Sequence, residues 1–354
     1  MIAKPYVPRT AHLERRALQV LRLGPRRLGR WVRAALARGP VEFPMSVATE
    51  ITNHCNLACA TCPRPAPQDR GYMTLDLFRK VVDECVREPR MRSLIVTGFG
   101  EPTLHEDVVA MTRYAREKGI PYVRGFTNAR LLGDDVGESI LRESGFDELT
   151  LSLNAGDAKT YQAFTCSDDY EKVVEGLERF FARRKKLPGA PFVNLQLLTS
   201  EAVEHDVDGF VKKWLPLLRR GDCIRLKAAY DFAGQVDSPV VGHPRHSGAR
   251  RPCGMLWNLA FVFWNGDVAP CCTDPFRKLR IGNVNESSLR ELWQSEALHR
   301  FRDLHLAGRY EEMPLCPECV AWVYYRKTFP PGHQSPERVC APGHGARQAG
   351  QAGK

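Results

Sequence analysis

Residues 50–64 read EITNHCNLACATCPR, and they place Cys55, Cys59 and Cys62 within eight residues. A structural zinc takes four ligands, usually as two CxxC-like pairs. A [4Fe–4S] cluster also has four metal corners, and cysteine thiolates hold it. Three thiolates on a four-cornered cluster leave one iron open, and an open iron can bind a substrate. A partial zinc site is the weaker reading, because the fourth ligand is missing.

Outward from this stretch, β-rich runs alternate with helical periods. Strands are predicted at 46–52, 93–98, 122–127, 148–154, 192–198 and 223–229. Between the first two, TLDLFRKVVDECVRE has helical spacing and begins at Thr74, a suitable N-cap. Six successive βα units imply parallel strands with helical crossovers, fewer than a closed eight-fold barrel needs. The expected fold is therefore α/β, a partial (β/α)6 barrel whose chemistry lies on loops at the C-terminal strand ends. The three cysteines occupy the first of those loops.

The predicted domain boundaries follow the pattern. Residues 1–44 form a basic amphipathic arm and 45–232 the partial barrel. Residues 233–329 form a linker and a small Cys-rich domain, and 330–354 a disordered tail with little to bury. The linker, AGQVDSPVVGHPRHSGARRP, is rich in Gly and Pro. Within the Cys-rich domain, NLAFVFWNGDVAPCC carries the hairpin signal Asn265-Gly266.

Charge distribution bears on partners. The net charge is +10, but residues 1–40 hold ten Lys or Arg against Glu14 alone, which leaves +1 for the remaining 314 residues. The basicity belongs to the arm, where Leu18, Leu21, Leu28, Trp31, Val32 and Leu36 recur at helical spacing. Such an arm is a candidate for peripheral contact with an anionic membrane, although packing on the barrel exterior is the preferred reading. No nucleic-acid module is visible, and one basic arm is a poor electrostatic footprint. The longest apolar run, MLWNLAFVFW, is too short to span a bilayer. The N-terminus lacks a signal-peptide core, and the twelve cysteines cluster at metal-type spacings. A cytoplasmic enzyme is expected.

The CxxxCxxC of Cys55, Cys59 and Cys62, with Asn56 and Leu57 completing CNLxC, resembles the signature loop of the radical S-adenosylmethionine (SAM) superfamily. The resemblance implies a SAM-binding [4Fe–4S] cluster whose open iron takes the amino and carboxylate groups of SAM. It also implies reductive cleavage to a 5′-deoxyadenosyl radical that abstracts hydrogen from substrate. The cofactors carry that chemistry and the protein positions them. One βα unit later, TGFGEPTLH (97–105) resembles the family's GGE-like motif, which makes Gly98, Gly100, Glu101 and Pro102 implied SAM-binding residues. Glycines there let backbone approach a ligand closely. Ser152 and Asn154, in LSLNAGD (151–157), are implied near the ribose or carboxylate of SAM, although polar strand ends also cap helices.

A second cysteine set comes later: Cys253, Cys271 and Cys272, then the CPEC of Cys316 and Cys319. Gly266 and Cys271 resemble the G-x4-C element of the SPASM/twitch extension, and IGNVNESSLRELW (281–293) its intervening helix. The resemblance implies an auxiliary [4Fe–4S] cluster on Cys253, Cys271, Cys316 and Cys319. VAWVYYRKTF stands where a full SPASM domain has further cysteines, so the shorter twitch form is expected. Structural zinc remains an alternative, as does Cys272 in place of Cys271. Cys85 reads as a core residue, and Cys340 falls in the tail. Cys223, which core packing suits better, and Cys166, in a loop, are the candidates for a thiol that returns a hydrogen atom to the substrate, as an epimerase needs.

An auxiliary cluster suits a net two-electron oxidation. The cysteine spacing is similar to that of the amino-cyclitol dehydrogenases of this family. Oxidation of a small polar sugar or cyclitol is the leading expectation, with a flavodoxin or ferredoxin as external electron donor. Candidate substrate or base residues are Arg225, Lys227, Tyr230 and Asp231, although they also suit a barrel wall. An epimerase is the runner-up. A peptide (RiPP) maturase is disfavoured because 44 residues are too few for an ordinary leader-binding domain. A non-catalytic iron–sulfur carrier would have no use for the GFGEP loop.

Overall fold

The computed structural model describes residues 41–200, 206–241, 250–323 and 338–340. Most of the basic arm, the 242–249 part of the linker and most of the C-terminal tail lie outside the described residues.

Among the described residues ten strands form one sheet. In chain order they are β1 (Ser46–Thr49), β2 (Ser93–Val96), β3 (Val123–Thr127), β4 (Glu148–Ser152), β5 (Phe192–Thr199), β6 (Cys223–Ala228), β7 (Leu259–Val262), β8 (Asp267–Ala269), β9 (Gly282–Asn283) and β10 (Arg338–Cys340). The spatial order is β10-β6-β5-β4-β3-β2-β1-β7-β8-β9. From β1 to β6 every neighbouring pair is parallel, as six βα units require. The crossovers are α1 (Leu75–Cys85), α2 (Val108–Glu117), α3 (Asp135–Glu143), α4 (Ala158–Thr165) with α5 (Tyr170–Lys185), and α6 (Val207–Trp214). The Cys-rich region adds α7 (Leu289–Trp293) and α8 (Glu296–Ala307).

Local chemistry explains these elements. Thr74 caps α1 by accepting the Leu77 N–H at 3.2 Å. Leu77, Phe78, Val81, Val82 and Cys85 then fall on one buried face, which places Cys85 in the core as expected. Six consecutive residues of β5, Val193–Leu198, are buried, the mark of an inner strand covered on both faces. At the N-terminal end of β6, Asp222 forms a fully buried bidentate pair with Arg184 of α5 at 2.6 and 2.7 Å, and also accepts the Val193 N–H at 2.8 Å.

Two features depart from the expected layout. The Cys-rich region is joined to the barrel sheet: β7 pairs parallel with β1, Ser46 opposite Leu259 through Thr49 opposite Val262. The hairpin predicted at Asn265-Gly266 forms between β7 and β8, with Gly266 at φ 89°. In addition, part of the tail expected to be disordered is a strand. Arg338–Cys340 pairs antiparallel with β6, and the register sets Cys340 opposite Cys223. Composition alone hid it, because a three-residue edge strand needs little apolar sequence.

Candidate active site and metal centres

The loop after β1 is bound to its surroundings before it reaches Cys55. The Asn53 side chain accepts the Gly71 N–H at 2.8 Å and donates to the Asp69 carbonyl at 2.9 Å. Met73 N–H donates to the Ile51 carbonyl at 2.7 Å, and the His54 ring stacks on Tyr72 at 4.6 Å. Beyond Cys55, Ala60 N–H donates to the Phe164 carbonyl at 2.9 Å, and Cys62 N–H to the Cys59 carbonyl at 3.2 Å. The three thiols are thereby crowded together. Burial, then the Cys55 thiolate, pushes Cys59 up to about 12. Burial, then Cys59 and Cys55, does the same to Cys62. Ligation requires deprotonated sulfur, so thiols that raise one another's pKa are suited to a cationic metal group that relieves the repulsion. Beside Cys55 and Asn56 a cavity of about 320 Å³ opens, bordered by Arg64 and by Cys166. Cys166, which is exposed and caps α4 at φ 56°, thus lies beside the cysteine loop.

The glycine loop after β2 packs on this loop. A Cβ on Gly98 would lie 2.6 Å from the Glu50 side chain, and one on Gly100 2.5 Å from the His54 and Thr52 carbonyls. The room these glycines leave is filled by protein backbone and by Glu50, where the sequence suggested room for a ligand. The Glu101 carboxylate is buried and occupied. One oxygen accepts from Thr103 N–H, Thr103 hydroxyl and Thr127 hydroxyl at 3.0, 2.7 and 2.7 Å. The other accepts the Asn128 N–H at 2.6 Å. Pro102 opens the short 3₁₀ turn that Glu101 caps.

Sequence reasoning missed Asn128 and Arg130, although both lie in the FTNARLL run (126–132) that ends the third predicted strand. Asn128 Nδ2 donates to Asn56 Oδ1 at 2.7 Å and approaches Cys55 Sγ at 3.9 Å. Arg130 donates to the Asn56 carbonyl and pairs with Asp169. At the end of β4, Asn154 takes φ 62° and its Oδ1 accepts from Gln196 at 3.0 Å; Ser152 stands opposite Gln196 across the β4–β5 ladder. Ala129, Asn154, Phe232 and Ala233 all have positive φ, so four non-glycine residues in the left-handed region lie beyond the C-terminal ends of β3, β4 and β6. Backbone strain of this kind concentrates at functional sites.

The second cysteine group gathers as expected. Cys253, Cys271, Cys272, Cys316 and Cys319 line one pocket together with His305. Burial raises Cys253, and the thiolates of Cys319, Cys316 and Cys272 add to the effect. The adjacent Cys271 and Cys272 turn different ways. Cys271 packs with Cys316 and Cys319 against Leu279, Leu304 and Leu315, and it meets the Thr273 hydroxyl at 3.0 Å. Cys272 packs with Cys62 against the cluster of Phe99, Phe261 and Phe263. Both cysteines line the pocket with Cys253, Cys316 and Cys319, and Cys272 also reaches the barrel side. Among the described residues no group of three or more His, Cys, Asp or Glu is spaced to hold a single metal ion.

The predicted substrate residues lie on β6 and just beyond it. Lys227 Nζ lies 5.0 Å from the Tyr230 ring centre, and Tyr230 stacks on Phe232 at 4.5 Å. Burial, then Arg225, lowers Lys227 to about 8. Burial raises Tyr230 well above its ordinary value, with the thiolates of Cys272, Cys271, Cys319 and Cys62 adding to it. Tyr230 is thus within electrostatic reach of both cysteine groups. Arg225 stands opposite Gln196 in the β5–β6 register. Asp231 is buried, and its charge acts on Cys319, which places it toward the second group.

Comparison with known proteins agrees with the fold. The Radical SAM superfamily model matches residues 49–193, and the SPASM iron–sulfur cluster-binding domain model matches 253–320. The chain is 31% identical over 330 residues to the AdoMet-dependent heme synthase of Methanosarcina barkeri, covering 79% of this chain and 92% of that one. It is 27% identical to the tungsten-containing aldehyde ferredoxin oxidoreductase cofactor-modifying protein of Pyrococcus furiosus, over 76% and 85% of the two chains. Among solved structures it is similar to SuiB of Streptococcus suis bound to its precursor peptide SuiA (TM-score 0.59, 13% identity, 79% and 72% covered). It is also similar to BtrN in complex with AdoMet and 2-DOIA (TM-score 0.51, 17% identity, 78% and 93% covered). The chain belongs to the radical SAM superfamily and carries a SPASM domain. Its cofactors are SAM, a SAM-binding [4Fe–4S] cluster and auxiliary iron–sulfur. Among the described residues no helix is long and apolar enough to cross a membrane.

Proposed function

We propose that this radical SAM enzyme carries out a two-electron oxidation of a small polar substrate, a sugar or cyclitol alcohol, to the carbonyl. Cys55, Cys59 and Cys62 would hold the SAM-binding cluster, and Cys253, Cys271, Cys316 and Cys319 the auxiliary one. Gly98, Gly100, Glu101 and Pro102 would shape the SAM side of the pocket, with Ser152 and Asn154 beneath it. When bound, SAM and the two clusters supply hydrogen-atom abstraction and a sink for the second electron.

What supports the proposal is that the thiolates of both cysteine groups act on Tyr230, whose ring Lys227 meets at 5.0 Å, with Lys227 lowered to about 8. An amine so tuned is substantially neutral under mildly alkaline conditions and can take the proton of a substrate hydroxyl as the carbonyl forms. The apolar wall of Phe99, Phe232 and Phe261 excludes water from that step. Arg225 would orient the substrate, and Asp231 would act from the auxiliary side. The reductant would be a flavodoxin or ferredoxin.

Epimerisation is a second reading with its own support, because Cys272 shares an apolar cluster with Cys62. A thiol there would return a hydrogen atom to the substrate. Both readings are tested by incubating anaerobically reconstituted enzyme with SAM, dithionite and a panel of aminocyclitols that includes 2-DOIA, in D₂O. A ketone product without carbon-bound deuterium, formed with stoichiometric 5′-deoxyadenosine, supports oxidation. An inverted product carrying deuterium overturns it in favour of the epimerase.

A further inference from the structure

His305 lies in the last turn of α8 and is 1% exposed. The Cys253 backbone N–H donates to its Nδ1 at 3.2 Å. A ring nitrogen that accepts an amide N–H carries no proton of its own, so the neutral ring bears its proton on Nε2. That nitrogen stands 3.3 Å from Cys316 Sγ. One imidazole therefore spans Cys253 and Cys316 of the second group, which are far apart in the chain. The ring is fixed from the side. Tyr310 meets it edge-on at 5.1 Å and 80°, and the Arg250 guanidinium covers the Tyr310 ring at 4.4 Å.

We infer that His305 is a positioning residue of the auxiliary cluster, donating Nε2–H to the Cys316 sulfur and thereby raising the cluster's reduction potential. An N–H···S hydrogen bond draws electron density from the thiolate, which favours the reduced and more negative cluster. Hydrogen bonds to sulfur are among the levers that set such potentials. For a substrate that gives up an electron to this cluster, the hydrogen bond makes acceptance easier. The inference rests on the assignment of Cys316 as a cluster ligand.

The test uses the full chain with Cys55, Cys59 and Cys62 all changed to Ala, which isolates the auxiliary cluster. Iron and sulfide are counted, and the midpoint potential is read by EPR redox titration with His305, His305→Phe and His305→Gln. The expected result is an intact cluster in the Phe variant, with its reduced-to-oxidised ratio at fixed potential lowered about tenfold, ~59 mV for one electron. The Gln variant, which keeps an N–H donor, recovers part of that shift. An intact cluster with unmoved potential overturns the role of His305 alone. No iron in the His305 parent overturns the cluster assignment and the inference with it. Pulsed EPR of that parent needs no variant: a strongly coupled nitrogen would make His305 a direct ligand and overturn the hydrogen-bond role.

Discussion

Glu101 and Asn128 tie the active-site loops together: the Glu101 carboxylate accepts the Asn128 N–H at 2.6 Å, while the Asn128 side chain donates to Asn56 at 2.7 Å. Three loops, after β1, β2 and β3, thus meet through two residues. In Glu101→Gln an amide NH₂ replaces an acceptor that faces only donors, which leaves a buried mismatch. The expected cost is about 1–3 kcal/mol, read by chemical denaturation, together with weaker SAM binding by calorimetry. Wild-type values in both measurements would refute the latch.

Gly100 predicts a steric effect on cluster assembly. Its added Cβ would meet the His54 and Thr52 carbonyls at 2.5 Å, backbone that cannot yield without moving the cysteine loop. Gly100→Ala should lower iron content at the SAM-binding cluster and abolish 5′-deoxyadenosine formation. Gly189→Ala, with open space around its Cβ, is the control and should retain both. Full iron in Gly100→Ala would show that the loop has slack.

Lys227 predicts a pH profile. Because its pKa is lowered to about 8, the neutral base grows as pH rises through that value, and turnover should rise with it. Lys227→Met should reduce product formation by roughly 10²–10⁴-fold, the usual contribution of a positioned acid or base. SAM cleavage without substrate oxidation should persist. Product formation at the wild-type rate, with the same profile, would remove Lys227 from the chemistry.

Glu50 predicts a pH dependence of stability. Burial holds it up to about 7 against an ordinary 4.5, opposed by the Phe99 and Trp264 N–H groups and by Arg277. Between those values the folded chain keeps a proton that the unfolded chain has released. The contribution is therefore complete below 4.5, declines as pH rises to about 7 and is flat above. At 1.36 kcal/mol per unit the decline is about 3 kcal/mol. Denaturation midpoints should fall across this window in the wild type, and the Glu50→Gln variant should lose that slope.

Much of this was legible in sequence because it is local. Thr74 at its N-cap, Asn265-Gly266 at its turn and six βα strands all announce themselves within a few residues. The cysteine groups were legible because thiolates at those intervals have few other uses. Pairing over long distance was not. Nothing in the four residues Leu259–Val262 says that they lie beside Ser46–Thr49, since a short apolar run fits any inner position. Asn128 looks like a polar strand end, and His305 looks like one of several polar residues on an amphipathic helix. Each becomes informative only when a sulfur from another segment stands next to it.

The pairing of β7 with β1 has a practical consequence for anyone who would trim or graft this enzyme. Cutting the chain in the linker and discarding its C-terminal portion would strip β1 of its outer neighbour and turn an inner strand into a raw edge of unpaired N–H and C=O groups. That strand feeds the Cys55–Cys62 loop, so the cut is expected to loosen that loop as it removes the second cysteine group. The loop that carries Cys55 and the segment between Cys253 and Cys271 are joined through adjacent strands of one sheet. Whatever moves one of these segments is therefore felt by the other through shared backbone hydrogen bonds.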